Sequence, residues 1–360
     1  MVVESSTNPS MFKNLSRLNV PQRRFVFFAV VIGVVLLFIG AAAFLINAAV
    51  NTSERMISVA LDPAISVREY AALPDDNAYP AALAVAPDGT VVTGSYSTGA
   101  VWRIALDGVV TEILGARDLI GAVSGFAIGA DNSVYVVDQM DTDPRSTGGV
   151  IWVIVGDQVT DLGLQPDATG WITPNDITLD LTNTLYITDS GRGEIWRFLP
   201  GSTEGQLWWA VPRPAQNADN QRRALTGIAF DAQTSAIIAA DGEQNTLYRI
   251  PIASADEEIV YAHGNAANPP GFDGVTVAPD GTIYVTALGQ NGVARVDGDG
   301  QLTYIAGLFR GASDLEITGD GLIYVTNFDQ ASIVLPFIAP QLPFAIDVID
   351  LNTPSATPTP

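Results

Sequence analysis

VTVAPDGTIYVTALGQNGVARV, residues Val275 to Val296, reads as two β-strands joined by a hairpin. Apolar residues alternate along it, Val275 and Val277 and then Ile283 and Val285, which is the period of a pleated strand and not of a helix. Asp280-Gly281 supplies the positive φ that a tight hairpin demands. The same phrase stands at Val85 to Ile104 (VAPDGTVVTGSYSTGAVWRI) and Ile177 to Phe198 (ITLDLTNTLYITDSGRGEIWRF), and fainter copies bring the total to six between Pro80 and Pro336. Aligned on the β-rich run, Val92, Tyr135, Tyr186, Ile238, Tyr284 and Tyr324 fall in register. The repeat of roughly 40 to 50 residues is that of a propeller blade.

One such blade cannot bury both of its faces, so copies must stack around an axis, and six of them close a ring. The expected fold is all-β, a six-bladed β-propeller over residues 65–350. A β-sandwich array is the alternative, but its turns would fall about every 8 to 12 residues without this longer self-similarity. Ring closure requires the chain ends to meet. Ile65, Val67 and Tyr70 have the composition of a strand that completes the last blade, and the apolar stretch Ile333 to Ile349 is available to contribute.

Ahead of the propeller, Phe25 to Asn47 (FVFFAVVIGVVLLFIGAAAFLIN) contains no charge. At 1.5 Å per residue it is long enough to cross a bilayer core of roughly 30 Å. Lys13, Arg17, Arg23 and Arg24 precede it against the single acid Glu4, whereas Glu54 and Arg55 cancel after it. This bias predicts a single-pass membrane protein with residues 1–24 cytoplasmic, 25–47 a transmembrane signal-anchor helix, 48–64 a linker and an extracytoplasmic propeller. Cleavage near Ala48 and Ala49 as a signal peptide is the competing reading, against which stand the long polar leader and the long apolar run. Residues 351–360, with the Pro- and Thr-rich TPSATPTP, are expected to form a disordered tail.

Composition excludes several chemistries. The absence of cysteine removes disulfides, thiolate metal sites and cysteine nucleophiles. One histidine, His263, excludes a His-based triad or a multi-His metal site. After the apolar run there are 38 acids, 13 Arg and no Lys. Such a surface repels nucleic acid and anionic lipid and favours cations. Neither a phosphate-cradling glycine loop nor a GxSxG elbow occurs.

In a propeller the innermost strand of each blade lines the central channel, and the residue just ahead of it rings one mouth. Counting 11 positions back from the aligned β residue gives Ala81, Ser124, Asn175, Gly227, Asp273 and Ser313. Asn175 and Asp273 are the strong oxygen donors of that ring. Coming from the third and fifth blades, they would converge on the axis, as a hard cation such as Ca²⁺ requires, and Asp176 and Asp314 stand one residue further on. Either Asn175 or Asp273 is equally suited to stabilising the turn that enters its strand. Asp138, Asp189 and Asp241 recur at the end of a β run, with Ser95, Ala287 and Asn327 in the same slot; recurrence points to acceptance of hydrogen bonds from the following turn.

Pro174-Asn175-Asp176 followed by Leu185-Tyr186-Ile187-Thr188-Asp189-Ser190, with Phe272-Asp273-Gly274 two blades later, resembles the gluconolactonase and regucalcin (senescence marker protein type) family over roughly residues 75 to 338. The resemblance implies a six-bladed propeller that holds a divalent metal, Ca²⁺ first, in its channel and hydrolyses lactones or esters. It implies Asn175 and Asp273 as metal ligands, with Asp176 and Asp314 able to complete the shell, and Asp241 and Asp189 as candidate catalytic acids. The family's third ligand, a glutamate ahead of the first inner strand, is Ala81 here. NHL-type propellers, which share the Asp-Gly-x-hydrophobic-Tyr-Val-x-Asp phrase and bind rather than catalyse, look similar over the same span. Two functions therefore stand: a tethered lactone or ester hydrolase, and a non-catalytic propeller presenting its channel mouth to a protein, glycan or peptide.

Three further features have ordinary readings. Asp138 to Arg145 (DQMDTDPR) lacks the glycine and distal glutamate of an EF-hand and reads as a solvated loop. Trp102, Trp152 and Trp196 share a repeat position and read as blade packing. Trp208 and Trp209 fall outside the pattern, and a long loop bordering a ligand site is expected there.

Overall fold

Each copy of the repeat becomes an antiparallel sheet whose strands follow in sequence order from the axis outward. The computed structural model describes residues 20–50, 53–143, 145–212, 225–265, 267–335 and 337–355. The six innermost strands are Pro80–Val85, Val123–Ile128, Pro174–Leu179, Leu225–Asp231, Phe272–Val277 and Leu315–Ile317. Each touches its neighbour around the ring, the sixth touching the first. The fold is the expected six-bladed β-propeller.

Alternation along the strands decides which side chain meets which neighbour. In blade 3, Tyr186 packs toward Ile228 and Ile237 of blade 4, while Ile187 on the opposite face packs toward Ala127 and Val137 of blade 2. The core is accordingly six clusters, one per blade interface. Trp102 and Trp196 are buried in two of them. Trp208 and Trp209 correct the expectation of a loop. They lie in the outer strand of blade 3, Gln206–Ala210, where Trp208 packs edge-on to Tyr186 and Trp209 packs at a tilt against Tyr248 of blade 4.

The ring closes in blade 6. Three of its strands come from the C-terminal part of the chain, and the outermost is Ser66–Ala72, paired antiparallel to Ala345–Asp350 with Val67 opposite Ile349. The segment just before it, expected to be a linker, is paired to the propeller over its described part. Ser53–Glu54 runs parallel to Gln341–Leu342, and Val59–Ala60 adds a fifth strand to blade 5. Between them the Arg55 guanidinium pairs with the buried Asp347, which also accepts hydrogen bonds from Ser58 Oγ (2.6 Å) and Asn327 Nδ2 (3.1 Å). Past the last strand, Leu351 donates to the Gly321 carbonyl and Ser355 to that of Pro63. Residues 356–360 of the expected tail, and 1–19 of the expected cytoplasmic segment, lie outside the described residues.

The N-terminal helix is a separate unit, Val20–Val50. It is long and apolar enough to cross a membrane. Its described residues extend five positions ahead of the apolar run.

Candidate functional site

A shift in register marks the mouth end of the first five inner strands. In blade 3, Pro174 lies opposite Asp189 but Ile177 lies opposite Ile187, and blades 1, 2, 4 and 5 break at the same place. Such bulges re-aim side chains. They define two slots per blade. The first, at the rim, holds Ala81, Ser124, Asn175, Thr226, Asp273 and Ser313; the second, one residue deeper, holds Ala82, Gly125, Asp176, Gly227, Gly274 and Asp314. Thr226 replaces Gly227 in the expected rim, because the blade 4 hairpin carries one more residue than that of blade 3: Ile228 lies opposite Ala239, where Ile177 lies opposite Ile187.

The deeper slot ties blades together. Asp176 accepts N–H from Ile177 (2.8 Å) and, across the blade boundary, from Ile228 (2.9 Å). Asp314 does the same with Leu315 and with Leu83 of blade 1, both at 2.8 Å. Where the slot is glycine the backbones approach too closely for a side chain: a Cβ on Gly227 would stand 2.3 Å from the Asp273 carbonyl oxygen, and one on Gly274 2.5 Å from Asp314 Oδ1. Both carboxylates have raised proton affinity. Burial is the main cause at both, pushing Asp314 up to about 7, and at Asp176 the charge of Asp314 adds to it.

At the rim the hydroxyls are engaged. Ser313 Oγ donates to the Ala81 carbonyl (2.7 Å), and Thr226 Oγ1 to that of Asp273 (3.1 Å). The Asn175 amide and the Asp273 carboxylate, both half-buried, have no hydrogen-bond partner among the described residues. The ring encloses Asp273 on every side, and that burial, with the Asp314 charge, raises its pKa well above the carboxylate range. Behind this mouth the inner strands surround a cavity of about 220 Å³ lined by Asp176, Asp314, Thr178, Thr276 and Glu316 among apolar residues. Glu316 was not foreseen. Burial and the Asp314 charge push it up to about 8, against a hydrogen bond from Thr276.

Asp189 and Asp241 do not line that cavity. Asp189 is fully buried, accepts the N–H groups of Ile172 (2.9 Å) and Thr173 (3.0 Å), and faces Arg192 at 3.3 Å. Asp241, also fully buried, accepts the Gln244 backbone N–H (2.8 Å) and side-chain amide (2.9 Å), and burial raises its pKa. Asp138 likewise takes the Ala122 and Met140 N–H groups and the Trp152 indole. In the loop after it, Asp143 pairs with Arg145 and Asp141 accepts Ser146 Oγ. His263 Nδ1 contacts the Tyr261 hydroxyl at 3.0 Å, away from the channel.

No group of three or more His, Cys, Asp or Glu side chains among the described residues is gathered as a metal cage. The donors that fit a cation are instead one amide oxygen and one carboxylate at the rim, both hard oxygen ligands with no other partner, with Ala81 contributing none.

Among solved structures, a gluconolactonase from Xanthomonas campestris superposes with a TM-score of 0.59 at 15% identity, over 83% of this chain and 96% of that one. A virginiamycin B lyase from Staphylococcus aureus gives 0.55 at 17%, over 79% and 99%. The aldose sugar dehydrogenase of Streptomyces coelicolor, in its PQQ-bound form, gives 0.55 at 16%, over 80% and 99%. At these identities the likeness is one of fold. No curated protein matches the sequence. The profile of the SMP-30/Gluconolactonase/LRE-like region, however, matches residues 119–308, more than half of the chain, and the chain belongs to that family.

Proposed function

We propose that this protein is a membrane-tethered, extracytoplasmic hydrolase of lactones or esters, working at the channel mouth with a divalent cation, Ca²⁺ first, held by Asn175 and Asp273. The carrying observation is that these two oxygen donors stand at the rim without partners while the neighbouring polar groups are engaged. A cation there would supply Lewis acidity to the substrate carbonyl. Asp273, whose carboxylate accepts no hydrogen bond among the described residues, would hold the cation through one oxygen and take a proton from the attacking water through the other, returning it to the alkoxide released as the ester C–O bond breaks. Asp189 enters as a positioning residue: by holding the N–H groups of Ile172 and Thr173 it fixes the loop that delivers Asn175. Asp176 and Asp314 hold the inner strands in register, their oxygens already occupied by backbone N–H groups. The helix Val20–Val50 is the anchor in this reading.

The test is thermal stabilisation of the chain from Ser53 onward by millimolar Ca²⁺, Mg²⁺, Mn²⁺ or Zn²⁺, followed by hydrolysis of a lactone and ester panel with the stabilising ion. Stabilisation that disappears in Asn175→Ala and in Asp273→Ala, with turnover that disappears alongside it, is expected. No stabilisation by any ion sinks the cation. A non-catalytic reading, in which the mouth binds a protein, glycan or peptide, draws on Ala81, which offers no third ligand; ion binding without turnover would favour it.

A further inference from the structure

Strand direction sorts the loops onto two faces. Inner strands start at the mouth, so second and fourth strands end there, and the loops leaving them share the mouth face. The chain arrives at that same face. Ser53–Glu54 lies beside Gln341–Leu342, in the connection that leaves the second strand of blade 6. Val59–Ala60 then runs away from the mouth, Val59 opposite Gly307 and Ala60 opposite Ala306. Around this point apolar side chains stand in water, Met56 at 50% exposure, Ile57 at 76% and Leu308 at 51% foremost among them. Leu308 holds a φ of 62°, a left-handed conformation unfavourable for a leucine, and its side chain nonetheless points out of the core. In the sequence, Ser53 follows the last residue of the apolar helix by three positions, a reach of about 11 Å at most.

We infer that Met56, Ile57 and Leu308 form a bilayer-docking patch, which sets the mouth-bearing face of the propeller against the lipid–water interface. This rests on the anchor reading of the helix and goes beyond it: an anchored propeller on a long leash would need no such patch. The occupant follows from the chain itself, because Met56 and Ile57, six and seven residues beyond the last residue of the apolar helix and fixed to a folded edge, stand within reach of the interfacial layer. The acidic surface of the propeller gives no electrostatic attraction to lipid, so contact at this point must be apolar. Exposed apolar residues on the opposite face, such as Leu181 in a hairpin of blade 3, have no membrane segment near them in sequence.

The chain has no cysteine, so one introduced thiol is a unique label. Full-length Leu36→Cys, Ile57→Cys, Leu308→Cys and Leu181→Cys variants would be labelled with a polarity-sensitive fluorophore in phosphatidylcholine nanodiscs and quenched from lipid or from water. Labels at 36, 57 and 308 are expected to be quenched from the lipid several-fold more than the label at 181. Labels at 57 and 308 that match 181 while 36 responds to lipid would leave the anchor and overturn the patch. Shielding of 57 and 308 from both quenchers would mean a protein cover and would also overturn it. A label at 36 that reports water would remove the anchor and the patch together.

Discussion

Asp176 in blade 3 and Asp273 in blade 5 occupy adjacent slots of the repeat unit, yet one carboxylate is tied at both oxygens by backbone N–H groups and the other is tied at neither. The residue type is identical and both are enclosed by the same ring. What differs is a single step along a bulged strand. In the deeper slot the side chain meets the exposed N–H groups of its own strand and of the next blade, as Asp314 does on the far side of the ring. In the rim slot it meets the open channel. Enclosure raises the proton affinity of all three, so burial alone does not distinguish a structural carboxylate from a reactive one. The hydrogen-bond partners do.

That contrast can be broken by substitution. Asp273→Ala and Asn175→Ala should lower kcat/KM for a cleaved lactone by about a hundredfold or more, a loss on the scale of a polarising metal, with no fall in the urea midpoint. A collapse of stability in Asp273→Ala would make the rim residue as structural as its neighbour. Asp314→Ala and Asp176→Ala should each cost about 1–3 kcal/mol of folding free energy, the penalty for leaving a buried N–H of Leu83 or Ile228 without an acceptor. Urea unfolding measures this directly, and an unchanged midpoint would deny the tie.

Acidity sharpens the comparison further. Asp314 and Glu316 bind protons up to about 7 and 8 in the folded chain, against ordinary values of 3.8 and 4.5. Folded pKa values raised in this way give stability that is fully present below the unfolded values and lost as pH rises through the folded ones. Without added cation, the melting temperature should therefore be a few degrees lower at pH 9 than at pH 5.5, and a scan that is flat or rises over that window would contradict the enclosure of these groups. The smallest expected effect is that of Thr226→Val, about 0.5–1.5 kcal/mol for the hydroxyl bond to the Asp273 carbonyl, read from the same urea titration.

The blade count was legible because Asp-Gly turns and the in-register β residues Val92 to Tyr324 recur with the sheet itself, and the closing strand because Val67 and Tyr70 carry strand composition with no partner of their own in sequence. Site geometry was legible only as far as the repeats are equal in length. Counting back from Ile238 landed on Gly227 and missed Thr226, since one additional residue in a hairpin moves every slot by one. Glu316 stands three positions past the rim residue Ser313, where its counterparts Ala84, Ala127, Thr178, Ala229 and Thr276 are small or neutral, so the repeat marks no charged slot at that depth. The direction in which Asp189 and Asp241 point depends on which N–H groups the following loop leaves unpaired, and no repeat pattern encodes that.

The pairing of Arg55 with Asp347 makes the first residues after the helix part of the ring's closure. A protease or an expression boundary placed before Ser53 would release a propeller whose blade 6 is intact. A cut only ten residues later would strip the guanidinium from a carboxylate that has no contact with solvent, together with the Ser58 hydroxyl that shares it. Shedding and damage thus lie within one short stretch of chain, and the distinction between them is a property of sequence position rather than of protease strength.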